Sequence, residues 1–194
     1  MKSIEKLRQL REETGISFSE CRKALEESGG DIGKAKKVLR KKGMDFAKKR
    51  LGRETGKGII DSYIHANRKV GVLLDVRCET DFVARSLDFQ NMAHDICLHI
   101  AASAPRFIAP KDIPEDYLAG ERKIYREQFS GSGKPEELIS KIVEGKIDKL
   151  RKEICLLTQP FVKDQDISVK EFIDANIAKI GENIKVERFL RYQI

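Results

Sequence analysis

The chain has 194 residues, 40% of them hydrophobic and 36% charged, a balance that suits a globular protein with one ordinary core and a small appended module. Residues 1–10 carry charges where a secretory signal needs an apolar run, no stretch is long enough to span a membrane, and the four cysteines form no C-x-x-C pair. No leader, membrane span, disulfide framework or zinc cage is expected, and the chain reads as cytoplasmic with reduced thiols. The net charge of +7 sits at one end: residues 1–53 hold 16 Lys+Arg against 8 Asp+Glu, and the remainder 22 against 23.

In chain order, Ile4, Leu7 and Leu10 space a short helix that stops near Thr14-Gly15. Ser17 or Ser19 can cap a second, carrying Cys21, Ala24 and Leu25 as far as the terminator Ser28-Gly29-Gly30. Asp31 caps a third with Ile32, Ala35, Val38 and Leu39. Three short helices in about forty residues make a compact triangle with a very small interior, suited to presenting a surface rather than enclosing a site. Lys41–Arg53 is basic with little apolar periodicity and reads as a separate linker helix.

The texture changes at Lys57. Residues 58–65 and 70–79 are β-rich runs flanking Ala66-Asn67-Arg68-Lys69, a hairpin loop. Residues 82–104 take helical spacing through Phe89, Met92, Ala93, Ile96 and Ile100. Helices are predicted at about 114–129, 135–157 and 168–180, and a third strand at 184–192. The fold class is α+β: residues 1–53 as a three-helix domain with its basic linker, and residues 54–194 as a small antiparallel sheet packed with helices.

Several apparent sites fail. Gly52-Arg-Glu-Thr-Gly56-Lys57-Gly58 is one residue short of a phosphate loop, and Gly58 stands where the magnesium-binding hydroxyl belongs. His94, Cys97 and His99 lack a fourth ligand. Glu115-Asp116 and Glu136-Glu137 stand at predicted helix starts, where they suit the helix dipole. No catalytic constellation, metal or cofactor is expected, and the chain does not read as an enzyme. The cations of residues 34–53 offer a competing reading, a basic RNA- or ribosome-associated protein. Phe46 is their only aromatic neighbour, so base stacking has little to work with and direct nucleic-acid binding is not expected.

Two stretches carry a resemblance. Leu10-Arg-Glu-Glu-Thr-Gly-Ile-Ser-Phe-Ser-Glu-Cys-Arg-Lys-Ala-Leu25 is similar to the N-terminal signature of the bacterial elongation factor Ts family, in its short form. Asp75-Val-Arg-Cys-Glu-Thr-Asp-Phe-Val-Ala-Arg85 resembles that family's second signature, and Gln159–Asp164 and Glu187–Arg191 extend the likeness over essentially the whole chain. One departure is visible, because the family often has Gly-Met-Met where Ser17-Phe18-Ser19 stands here. The resemblance implies an exchange factor that drives GDP from elongation factor Tu during translation, meeting it in GDP-bound and nucleotide-free forms, with a ubiquitin-associated (UBA-like) N-terminal domain. It implies that Thr80, Asp81, Phe82 and Val83 form a corner whose phenylalanine wedges into the partner's GTPase domain. Arg8, Arg11, Phe18 and Arg22 are expected to grip the same partner. From spacing alone, Phe82 could equally begin a core stripe with Phe89 and Met92. Longer relatives carry a second core subdomain, so a homodimer paired through the sheet is expected here.

Overall fold

Ser17 and Asp31 do what their side chains suit them for. Ser17 Oγ accepts from Glu20 N and Asp31 Oδ1 from Lys34 N at 2.9 Å, each satisfying a backbone donor that a helix start leaves orphaned. The computed structural model describes residues 2–129 and 131–194. It opens with α1 (Lys2–Thr14), α2 (Phe18–Glu27) and α3 (Ile32–Lys48). Gly29 and Gly30, both at positive φ, turn the chain between α2 and α3, and Gly30 N reaches back to Leu25 O at 2.8 Å. The triangle closes on Leu10, Cys21, Ala24, Leu25, Ala35 and Leu39.

The expected linker helix is not separate: α3 runs unbroken through Lys41 to Lys48. Its inward face beyond Leu39 is made of Gly43 and Ala47. A Cβ at Gly43 would stand 3.6 Å from the side chain of Ala178, so this face lies close against α8 (Val169–Ile180). Small residues allow that approach and leave almost no hydrophobic signal in the sequence.

The chain divides into two compact units. One comprises the N-terminal half through Cys97 together with Glu171–Ile194, and the other Leu98–Lys170. In the first unit, β1 (Lys57–Ile64), β2 (Val70–Cys78) and β5 (Lys185–Gln193) form an antiparallel sheet in the order β1-β2-β5. Together with the eight α-helices of the described residues, this makes the fold α+β. On the covered face, Ile59, Asp61 and Tyr63 stand opposite the buried Val76, Leu74 and Val72. The helix α5 (Leu87–Ser103) meets this face at His94, whose Nδ1 is 3.4 Å from Asp61 Oδ2. The other face keeps Ile60, Ile64, Leu73, Leu190 and Tyr192 exposed, with Leu73 opposite Leu190 and Gly71 opposite Tyr192.

Amid that open apolar face sits Asp75, 4% exposed, held by Arg77 (Nη2 to Oδ2, 2.8 Å) and approached by Arg188 at 3.4 Å. The Arg77 hydrogen bond outweighs burial and holds the Asp75 carboxyl below its usual range.

The second unit contains the end of α5, then α6 (Glu115–Glu127) and α7 (Glu136–Ile154) packed side by side over Ile113, Leu118, Ile147 and Cys155. It also holds a small hairpin of β3 (Pro160–Phe161) and β4 (Asp164–Ser168), which the sequence reading did not foresee. His99 is fully buried there, its Nε2 against Gln159 Oε1 at 2.9 Å while Nδ1 accepts from Val162 N. Among the described residues, no helix is long and apolar enough to cross a membrane.

Candidate functional site

The helix predicted over 82–104 is two helices. α4 (Asp81–Ala84) is a single turn, and Ser86 separates it from α5 by donating to Val83 O at 2.8 Å and accepting from Phe89 N. Thr80 caps α4: its Oγ1 accepts from Val83 N at 3.3 Å. Just upstream, Cys78 Sγ donates to Thr80 O at 3.2 Å. The turn therefore has its own local fastening.

Its orientation gives each side chain of the corner a different task. Val83 and Ala84 point inward and are buried, while Asp81 and Phe82 point outward. Phe82 is 86% exposed, whereas Phe89 and Met92 are buried. Phe82 therefore does not begin the core stripe. Together with Asp81, Arg85 and Ser86 it lines a shallow concavity, and Leu87 beside it is also exposed. The Asp81 carboxylate has no hydrogen-bond or ion-pair partner among the described residues, so it does not fasten the loop.

The fastening comes from far along the chain. Glu182 Oε2 accepts from Glu79 N at 3.1 Å and Thr80 N at 3.0 Å, and its Oε1 accepts from Thr80 Oγ1 at 2.6 Å. Glu79 in turn accepts from Asn183 N at 2.6 Å, and Asn183 Nδ2 donates to the Arg53 carbonyl at 2.9 Å. Sequence reasoning missed Glu182 and Asn183, because no spacing rule joins positions 102 residues apart.

The four N-terminal candidates do not form one patch. Arg8, Arg11 and Phe18 share a concavity with Glu12 and Gly15, and the Arg11 guanidinium lies 5.3 Å from the Phe18 ring centre. Phe18 remains 43% exposed. Arg22 lines a different groove with Ile4, Leu7, Leu25 and Glu26.

The cations of residues 34–53 are partly neutralised by the fold. Lys36 pairs with Glu13, Lys42 with Glu27 and Arg40 with Glu171, while Arg50 stacks on Phe46 and donates to Gly181 O. Gly58 lies in β1, so the apparent phosphate loop runs into a strand rather than opening a helix. Among the described residues, no group of three His, Cys, Asp or Glu side chains is placed to hold a metal ion. Burial and the neighbouring Asp61 push the Cys97 thiol up to about 12, and burial with Glu182 pushes Cys78 to about 11, so both stay protonated at neutral pH.

The model of the family described as Elongation factor TS matches residues 36–194, most of the chain. This chain belongs to the elongation factor Ts family. Elongation factor Ts of Thermosipho melanesiensis is 50% identical over 194 residues, covering all of this chain and 99% of that relative. That of Fervidobacterium nodosum is 49% identical over 192 residues, covering 99% of this chain and 98% of the relative. For Koribacter versatilis the values are 48%, 99% and 88%. The elongation factor Ts likeness thus runs from α1 to β5, and the Phe82 corner lies inside it.

Proposed function

We propose that the chain is the guanine-nucleotide exchange factor of elongation factor Tu in translation elongation, acting in the cytoplasm by inserting Phe82 into the partner's GTPase domain. The observation that carries this reading is a phenylalanine left 86% exposed at the tip of a turn fastened on both sides. Burying that ring in an apolar slot contributes about 1.5–3 kcal/mol. The energy serves exchange only if the slot opens when nucleotide leaves, since an effector shifts an equilibrium solely by its differential affinity for the two states. Thr80 and Val83 hold the turn from within, and Asp81 offers its free carboxylate to the partner. No bond in the nucleotide is made or broken by this protein, so it needs no catalytic base.

Residues 1–53, read as a UBA-like module, grip the same partner through Arg8, Arg11 and Phe18, with Arg22 contributing from the neighbouring groove. Residues 54–194 form the exchange and dimerisation core. The open face of the sheet, with Ile60, Ile64, Leu73, Leu190 and Tyr192 uncovered, supports a homodimer that pairs two such faces about a two-fold axis.

The test is release of fluorescent GDP from purified elongation factor Tu. Phe82→Ala should slow catalysed release about tenfold or more, the loss that follows when about 1.4 kcal/mol of interface stabilisation disappears. Circular dichroism should be unchanged, because the ring packs on nothing of its own. Release at the wild-type rate would overturn the wedge.

A further inference from the structure

We propose that Glu182 is the positioning residue of exchange: its carboxylate, delivered by the connection between α8 and β5, sets the direction in which Phe82 leaves the body. This rests on the exchange reading of Phe82 given above.

The argument begins with what the corner lacks. A strand that ends and a helix that begins leave backbone N–H groups without ladder or helical partners, here those of Glu79 and Thr80. A hinge with free donors can take several orientations, and an 86% exposed ring on it would sweep a broad volume. Glu182 removes that freedom by accepting three hydrogen bonds from two consecutive residues, two from backbone amides and one from the Thr80 hydroxyl. An ionised carboxylate makes such bonds short and directional, and it can receive donors on both oxygens at once. The same Thr80 hydroxyl oxygen accepts from Val83 N, so Glu182 fixes the atom that starts the helical turn bearing Phe82.

Glu182 is itself held. Gly181 ends α8 at φ 91, its N–H bonded to Ile177 O, and Arg50 Nε donates to the Gly181 carbonyl at 2.9 Å. On the other side Asn183 donates to Glu79 Oε1 and to the Arg53 carbonyl. The four-residue connection, residues 181–184, is thus tied through Arg50 and Arg53 to the segment after α3, and through Glu79 to the end of β2. Arg50 and Arg53, which in sequence belong to a run of positive charge, here steady the connection that aims Phe82.

Glu182 lies partly open to solvent, so removing it lets water pair with the freed amides and leaves the fold standing. What is lost is preorganisation: the ring must then be ordered during exchange rather than before it. Affinity supplied by the N-terminal surface should persist while the maximal exchange rate falls.

The experiment compares Glu182→Ala, Glu182→Gln, Phe82→Ala and the Glu182→Ala/Phe82→Ala pair in GDP release from elongation factor Tu, titrating the factor to saturation. Glu182→Ala should lower the saturating rate about fivefold or more with little change in the half-saturating concentration. Glu182→Gln keeps one acceptor oxygen and should recover part of the rate. In the Phe82→Ala background, removing Glu182 should cost almost nothing further, since contacts that act as a unit are not additive. A full additional loss in that background would overturn the inference, as would a wild-type rate for Glu182→Ala beside an impaired Phe82→Ala. If Phe82→Ala alone is unimpaired, the exchange reading of the corner fails instead. Should Glu182→Ala prove unstable, amide hydrogen exchange at Glu79 and Thr80 in Glu182→Gln decides: protection equal to wild type overturns the positioning role.

Discussion

Two of the places where the first structural unit exposes apolar side chains, the corner and the open face of the sheet, differ in shape. At the corner the Phe82 ring stands off a single helical turn, with Leu87 exposed beside it, and the turn is fastened by Glu182 and capped by Thr80. On the sheet, five side chains from three strands lie flat around a paired carboxylate, Asp75 with Arg77 and Arg188. A projecting ring is buried only by a concave surface, which a second copy of the same ring does not supply. A flat, two-fold-compatible face is buried well by its own copy, and its central ion pair penalises any partner lacking matching polarity. On the proposed reading, the corner suits a different protein and the sheet face a second copy of this chain.

The largest effect should come from breaking the flat face. Leu73→Lys would place a charge at the centre of that face in both copies and should weaken self-association by about 100-fold or more, since a buried unpaired charge costs several kcal/mol. Light scattering at micromolar concentration should then read a mass near 22.1 kDa where the parent reads twice that. A parent already at the single-chain mass across a dilution series would leave the sheet face without its second copy.

Phe82→Ala comes next and should do the reverse: about tenfold slower GDP release with self-association untouched. A shift in mass here would mean that the two surfaces are not independent.

Asp75→Asn probes the ion pair inside the flat face. It should cost about 1–3 kcal/mol of stability, because Arg77 loses its charged acceptor while the site stays buried. Thermal unfolding measures it. The pH dependence has a definite sign. Because Arg77 lowers the folded-state value of Asp75 below the ordinary 3.8, its contribution is whole above that value and is lost as pH falls through the depressed one. Asp75→Asn should erase this part of the acid destabilisation, and its cost in stability should be constant between pH 5 and 8.

The smallest effect belongs to Asp81→Ala. An exposed carboxylate has water as a substitute partner, so exchange should slow only by about two- to threefold. A loss equal to that of Phe82→Ala would transfer the central role in the corner from the ring to the charge.

Elements whose causes are local were legible in the amino-acid order. Ser17 or Ser19 and Asp31 announced two helix starts, of which the structure uses Ser17 and Asp31; the β-rich runs flanking residues 66–69 announced the β1–β2 hairpin, and helical spacing from Phe89 to Ile100 announced α5. The residues of the corner were legible as a pattern. The rest depends on contacts between distant positions. The second half of α3 read as linker because its inward face is made of small residues: Gly43 lies close against α8 and Ala47 is buried, with no large apolar side chain at either position to signal it. The cations of residues 34–53 were one run in the sequence, yet the fold gave Arg40 to Glu171 and Arg50 to the Gly181 carbonyl. Spacing left Phe82 and Phe89 equivalent; the Ser86 break turned one outward and the other into the core. Glu182 was invisible as a site residue, since a carboxylate after a helix-ending glycine acquires its role only when chain closure brings it to amides 102 and 103 residues away. Local propensity depends on neighbours a few positions apart, and those the sequence prints side by side; hydrogen-bond partners across the fold exist only once packing has paid the entropy of bringing them together.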